Sequence, residues 1–182
     1  RRRRFVYAYF GDLDIIGHIH GPGSPEWVRS LQEVDAFVAD LATELPAGCA
    51  LVATADHGMV AAETTVDLDA LPHLTTDVET LAGEARVRQV YARAGAAPDV
   101  LAAWRAELAG RARVISREEA LDEELFGPGA EHADRIGDVV AIATGGVILA
   151  RSRHEPMESA MIGHHGANTA AEQHIPLIVR PG

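Results

Sequence analysis

Phe5-Val6-Tyr7-Ala8-Tyr9-Phe10 is an unbroken β-prone run, read as a short buried strand. A loop with Gly11, Gly17, Gly21 and Gly23 follows. Ser24-Pro25-Glu26 then gives a helix N-cap, a first-position proline and an acid in the first turn. Trp27, Leu31, Val34, Val38, Leu41 and Leu45 recur at spacings of 4, 3, 4, 3 and 4, one apolar stripe on a long helix. Pro46-Ala47-Gly48 ends it, and Cys49 to Thr54 reads as a second buried strand. Strand, helix, strand in this order predicts a right-handed βαβ unit in a parallel sheet.

The middle of the chain has a different texture. Val87 to Tyr91 and Val114 to Ser116 are short strand patterns, with a helix from Pro98 to Ala109 between them. Ser116-Arg117-Glu118-Glu119 is a capping box opening a further helix. Asp138 to Thr144 and Val147 to Ala150 are expected to pair as a hairpin across Gly145-Gly146. Ile175 to Arg180 is a last apolar strand. The organisation expected is α/β: a parallel-sheet core from residues 1–60 and 156–182, interrupted by a smaller α+β section at 61–155.

Composition narrows the function classes. The chain has 182 residues and a net charge of −11, which disfavours a nucleic-acid-binding surface. No apolar run approaches the roughly 20 residues that cross a bilayer. The single cysteine, Cys49, excludes an internal disulfide and is read as an inert core thiol.

Three polar clusters carry the chemistry. Asp12-Leu13-Asp14-Ile15-Ile16-Gly17-His18-Ile19-His20-Gly21-Pro22 offers two carboxylates and two imidazoles, with Asp14 and His18 four apart. On a helical turn that spacing brings both side chains to one point, and carboxylate oxygen with imidazole nitrogen suits Zn²⁺ or Mn²⁺. Thr54-Ala55-Asp56-His57-Gly58-Met59 follows the second strand directly, and a turn at a strand end lets Asp56 and His57 converge. Gly163-His164-His165-Gly166 sets paired histidines between glycines. Carboxyl ends of strands in open sheets are where sites form. Two ligand sets far apart in sequence point to a two-metal site, suited to phosphoryl transfer.

At these residues the chain resembles the type I phosphodiesterase / nucleotide pyrophosphatase family of the alkaline phosphatase superfamily. The signatures are Asp14-x-x-Gly17-His18-x-x-Gly21-Pro22, Thr54-Ala55-Asp56-His57-Gly58-Met59 and Gly163-His164-His165-Gly166, closed by Glu172-Gln173-His174-Ile175-Pro176-Leu177. The resemblance implies an alkaline-phosphatase-like sandwich with a small α+β insertion. It also implies two divalent metals, usually zinc. One would be held by Asp14, His18 and His165. The other would be held by Asp56 and His57, with a further Asp and a nucleophilic Thr or Ser that attacks phosphorus to form a covalent phospho-enzyme. In the family those last two residues precede the Asp14 motif, and no catalytic nucleophile stands in that context here. The chain therefore resembles the C-terminal portion of such a catalytic domain. Its expected substrate is a small phosphodiester or nucleotide. The alternatives are a phosphomonoesterase or phosphonate hydrolase of the same superfamily, or a non-catalytic metal-binding or interaction module. His164 is a candidate substrate contact, and His20 a candidate outer-shell donor. Glu172 is expected to tie the last loop to the sheet. An exposed sheet edge would favour a homo-oligomer.

Overall fold

The computed structural model describes residues 3–129 and 131–182. Two helices open it, α1 (Asp12–His20) and α2 (Pro25–Thr43), followed by strands β1 (Ala50–Thr54), β2 (Val60–Ala61) and β3 (Thr64–Asp67). Next come β4 (Val78–Glu84), β5 (Val87–Ala92), α3 (Ala97–Glu107), β6 (Ala112–Ser116), α4 (Arg117–Asp122), β7 (Val139–Ala143) and β8 (Val147–Ala150). The last elements are α5 (Pro156–Ser159), β9 (Gly163–His164), α6 (Ala170–Gln173) and β10 (Leu177–Pro181).

The best-packed layer is a four-stranded antiparallel sheet ordered β4-β5-β7-β6. Strand alternation divides β7 between two cores. Val139, Ala141 and Ala143 face the core that contains Val100, Trp104 and Leu108 around α3. Val140 and Ile142 face Ala120 of α4, Ile136 and Ala167. All five β7 residues are consequently buried. Trp104 is 1% exposed, and its indole N–H donates to the carbonyl of Leu74 at 3.0 Å, so the largest core side chain leaves no polar atom unmet. Ser116 and Glu119 form the expected reciprocal cap at the start of α4.

Several pairings differ from expectation. The Phe5–Phe10 run makes no strand among the described residues, and Phe5 is 89% exposed. A β-prone segment becomes a strand only where a neighbour's backbone meets its own, and none does here. The expected parallel βαβ pairing is replaced by an antiparallel ladder of β1 with β10, Val52 opposite Val179. The two ends of the chain therefore meet, but with opposite strand directions. Helix α2 stands over the face of this ladder that carries Leu51, Ala53, Ile178 and Arg180, while the face with Val52 and Val179, like Cys49, is exposed. Trp27 of the α2 stripe is half-buried, beside Gly17 of α1. The expected hairpin across Gly145-Gly146 is also corrected. Both strands form, but Val147 N–H donates to the Thr144 carbonyl, and β8 leaves the sheet to lie parallel to β3. That pairing and the antiparallel sheet give the chain its mixed α/β architecture.

Candidate metal centre

α1 turns the Asp14-to-His18 spacing into a shared helical face, with Asp14 Oδ2 3.5 Å from His18 Nε2. The other ring nitrogen, Nδ1, lies 2.8 Å from the carbonyl oxygen of Gly163. A carbonyl only accepts, so Nδ1 carries the proton and Nε2 presents its lone pair toward Asp14. From the far end of the chain, His165 places Nε2 3.7 Å from Asp14 Oδ1. One ligand atom from each of Asp14, His18 and His165 lies within 4.8 Å of the other two.

Backbone contacts bring these distant segments together. Ile162 N–H donates to the His18 carbonyl at 2.8 Å. β9 pairs with β2, His164 opposite Val60, which seats the Asp56–Met59 turn beside the histidine pair. The approach is close enough to demand glycine. A Cβ on Gly163 would stand 2.2 Å from the Gly17 carbonyl oxygen and 2.5 Å from Met59 Sδ. Gly58 donates its N–H to the Glu172 carbonyl at 2.7 Å, and a Cβ there would stand 2.0 Å from Ala171 O. The motif glycines are thus contact points between the three clusters.

His57 joins the group through its ring, stacked on His165 with centroids 3.6 Å apart and planes 18° apart. Its Nδ1–H donates to the Gly58 carbonyl at 2.9 Å. Asp56 sits at the rim, its side chain 71% exposed and Oδ1 3.8 Å from His57 Nε2. His164 is 5% exposed and donates Nε2–H to the Met161 carbonyl at 3.1 Å. His20, in the last turn of α1, is exposed, and its ring makes no hydrogen bond among the described residues. The sequence candidates therefore divide into a converged trio, an adjoining His57, a rim Asp56, a buried wall in His164 and an outlying His20.

Burial favours the neutral form of the paired histidines, His164 and His165. Burial pushes the His165 pKa below its ordinary value, and repulsion from His57 and His18 adds to it against the opposing pull of Asp14 and Glu84. Burial lowers His164 as well. Asp14 Oδ1 is buried and has no hydrogen-bond partner. An unpaired buried carboxylate oxygen is costly, and two neighbouring imidazole nitrogens do not satisfy it within hydrogen-bonding distance. A divalent cation bound by these three side chains would satisfy it, so the donor set fits a metal.

One supporting interaction was only half legible. Glu172 is 1% exposed and receives Arg86 Nε–H and Nη2–H at 2.9 and 2.8 Å, the Thr169 hydroxyl at 2.5 Å and the Ala167 N–H at 3.0 Å. It does tie the histidine loop to the sheet. The Thr169-x-x-Glu172 spacing hinted at it. Nothing in the pattern around Arg86 marks a fully buried guanidinium.

Fold and site together define an α/β chain of the alkaline-phosphatase-like class. Murine ectonucleotide pyrophosphatase/phosphodiesterase 5, inactive and in complex with AMP, superposes at a TM-score of 0.72 and 23% identity, covering 92% of this chain and 44% of that one. Phosphonoacetate hydrolase from Sinorhizobium meliloti, in complex with phosphonoformate, superposes at 0.68 and 25% identity, with 92% and 44% covered. The family model for type I phosphodiesterase / nucleotide pyrophosphatase matches residues 1–168, and the chain belongs to that family. The catalytic subunit of human GPI ethanolamine phosphate transferase 3 is 37% identical over 54 residues, 30% of this chain and 5% of that protein. The chain thus spans less than half the length of the relatives it matches. The family is one of metal-dependent hydrolases of phosphoester bonds. No helix among the described residues is long and apolar enough to cross a membrane.

Proposed function

We propose that this chain is the metal-holding C-terminal portion of a hydrolase of phosphodiester or nucleotide pyrophosphate bonds. The observation that carries this reading is the buried, unpaired Asp14 Oδ1 flanked by His18 and His165. Asp14, His18 and His165 hold one divalent cation. Asp56 and His57 contribute to a second site, completed by an Asp and a Thr or Ser nucleophile from outside this chain. Two bound zinc ions would supply neutralisation of the attacking and leaving oxygens and activation of the nucleophile and of water. The nucleophile would attack phosphorus and expel the leaving alcohol or phosphate, giving a covalent phospho-enzyme whose ester bond water then hydrolyses. Gly163 O fixes the His18 tautomer, and the His57–His165 stack fixes the second ring. In a protein of net charge −11, loading with cations is what makes the site attractive to a phosphate anion.

Zinc titration by calorimetry tests the site. Asp14→Asn and His165→Ala should each weaken zinc by at least about tenfold, because each removes a direct ligand where even outer-shell changes cost 10–100-fold. Unchanged affinity in both variants would remove the metal assignment. The zinc-loaded chain alone should not turn over bis(p-nitrophenyl) phosphate, and robust turnover would show that the nucleophile lies within it. The likeness to phosphonoacetate hydrolase favours one second reading, phosphonate hydrolysis at the same trio. Tighter binding of phosphonoacetate than of a nucleoside monophosphate by the zinc-loaded chain would support that reading.

A further inference from the structure

Arg86, in the turn between β4 and β5, and Arg88, on β5, are both 0% exposed. Arg86 donates Nε–H and Nη2–H side by side to the two carboxylate oxygens of Glu172, and Nη1–H to the Val147 carbonyl of β8. Arg88 donates to the Leu149 carbonyl of β8 at 2.9 Å and to the Gly83 carbonyl at 3.0 Å, and it forks onto the Glu155 carboxylate at 2.6 and 3.2 Å. Each guanidinium therefore joins β8 to one carboxylate. The two carboxylates bracket residues 155–172, the segment that carries His164 and His165. At its far end, Glu172 accepts the Ala167 N–H, two residues past His165, while its backbone carbonyl accepts the Gly58 N–H, next to His57. At its near end, the Glu155 carbonyl accepts the Ser159 N–H and so opens α5. The chain after α5 then supplies the Ile162 N–H to the His18 carbonyl.

From this we infer that Arg86 and Arg88 are positioning residues of the metal centre. They clamp the two ends of the 155–172 segment, so that the four-stranded sheet sets where His165 and the Asp56–His57 turn stand relative to Asp14 and His18. Stability alone does not call for them, because apolar side chains of similar volume hold a core together as well as a buried ion pair or better. What a forked pair adds is direction: two parallel N–H···O bonds fix the plane of the carboxylate, and here each carboxylate belongs to the chain that carries the ligands. Arg86 has the wider reach, since the one residue it orients holds both the histidine loop and the turn of the second ligand set. The inference rests on the metal reading proposed above and names residues that serve it without touching the metal.

Amide hydrogen exchange on the metal-free chain and zinc titration by calorimetry test the clamp together. In Arg86→Met, exchange at Ala167 and Gly58 should accelerate at least about tenfold more than at Leu108, whose N–H bonds within the α3 core. In Arg88→Met the same excess should appear at Ser159 and Ile162. Both variants, titrated where circular dichroism shows them folded, should bind zinc at least about tenfold more weakly. Arg117→Met is the control: it removes an ion pair to Asp138 at 2.9 Å that makes no hydrogen bond to the 155–172 segment, so it should lower Tm and leave zinc affinity unchanged. Arg86→Lys keeps the charge without the fork and should behave as Arg86→Met does. It and Glu155→Gln carry the same readings if a Met variant fails to fold. Acceleration that is equal at all the amides, unchanged zinc affinity in the folded variants, or full recovery in Arg86→Lys would overturn the inference and leave the metal centre standing. Failure of the wild-type chain to bind zinc would instead sink the metal reading, and the exchange comparison would then decide by itself whether the two arginines place the histidine segment.

Discussion

Asp14 is the residue on which the metal reading turns, and its energetics have a sign that can be checked. Without a cation, its buried Oδ1 is an unmet acceptor beside two imidazoles. Removing the charge should therefore cost little in the metal-free chain, whereas a bound cation stabilises only the folded state that holds it. Asp14→Asn is expected to match or exceed wild-type thermal stability in chelator. It should lose most of the rise in Tm that zinc produces in the wild type. Scanning calorimetry with and without zinc checks both halves, and an equal zinc-induced rise in the variant would contradict them. Glu172 makes the opposite case. Burial alone would raise its pKa, but Arg86, the Thr169 hydroxyl and the Ala167 amide outweigh burial and hold it below the ordinary 4.5. A depressed folded value means stability that is full above the unfolded pKa and lost as pH falls through the folded one. Glu172→Gln leaves Arg86 buried with half its partner and should cost about 3–5 kcal/mol at pH 7. That difference should narrow progressively as the pH drops below 4.5. Urea denaturation at pH 7, 4 and 3 measures it, and a pH-independent gap would mean that the pair is not charged.

Among the elements, those governed by local chemistry were legible in the sequence and those governed by pairing were not. The Ser116–Glu119 cap and the Pro98–Ala109 pattern state their own helices, and α3 and α4 form within a residue or two of them. Strand-prone runs carry no such address. Phe5–Phe10 and β1 are equally apolar, yet only β1 finds a ladder, because β10 arrives beside it from the other end of the chain. The hairpin at Gly145-Gly146 failed similarly: its turn residues are right, but β3 was the better neighbour for β8. The site was more legible than the sheet around it, since Asp14 to His18 is a helical spacing and the motif glycines flag close approach. That approach yields a prediction for α1 against β9. Gly163→Ala must displace one of them, because its Cβ would overlap the Gly17 carbonyl oxygen at 2.2 Å. Overpacking of this kind costs about 1–3 kcal/mol. The shift should also weaken zinc binding, with His165 only two residues on. Met59→Ala in the same chain should not rescue it, because the nearer obstacle is backbone. Rescue by Met59→Ala would show that the sulfur alone sets the approach.

At the scale of the whole molecule, apolar exposure is unevenly placed. The sheet between α3 and α4 is covered on both faces. The Phe5–Phe10 segment, α2 and the β1–β10 ladder are not, with Val6 at 87%, Leu177 at 71%, Val179 at 59% and Val52 at 55% exposed. Val52 and Val179 are direct partners across the ladder, so they lie on one face, and Leu177, two residues from Val179, shares it. A contiguous exposed apolar face of this kind marks an interaction surface, and a two-stranded ladder has two open edges. In a longer protein, sequence outside this chain would be free to cover it. On its own, the chain is expected to self-associate through this face. A net charge of −11 opposes association between like molecules, so salt, by screening that repulsion, should strengthen it. Light scattering on the purified chain should show mass rising with concentration, more steeply at 500 mM than at 50 mM salt. Val52→Lys/Val179→Lys changes two exposed side chains far from the trio in sequence. It should suppress the rise without altering zinc affinity. A clean monomer at high concentration in both salts would show that the ladder tolerates solvent unaided. Association that weakens with salt would place the contact on charged rather than apolar surface.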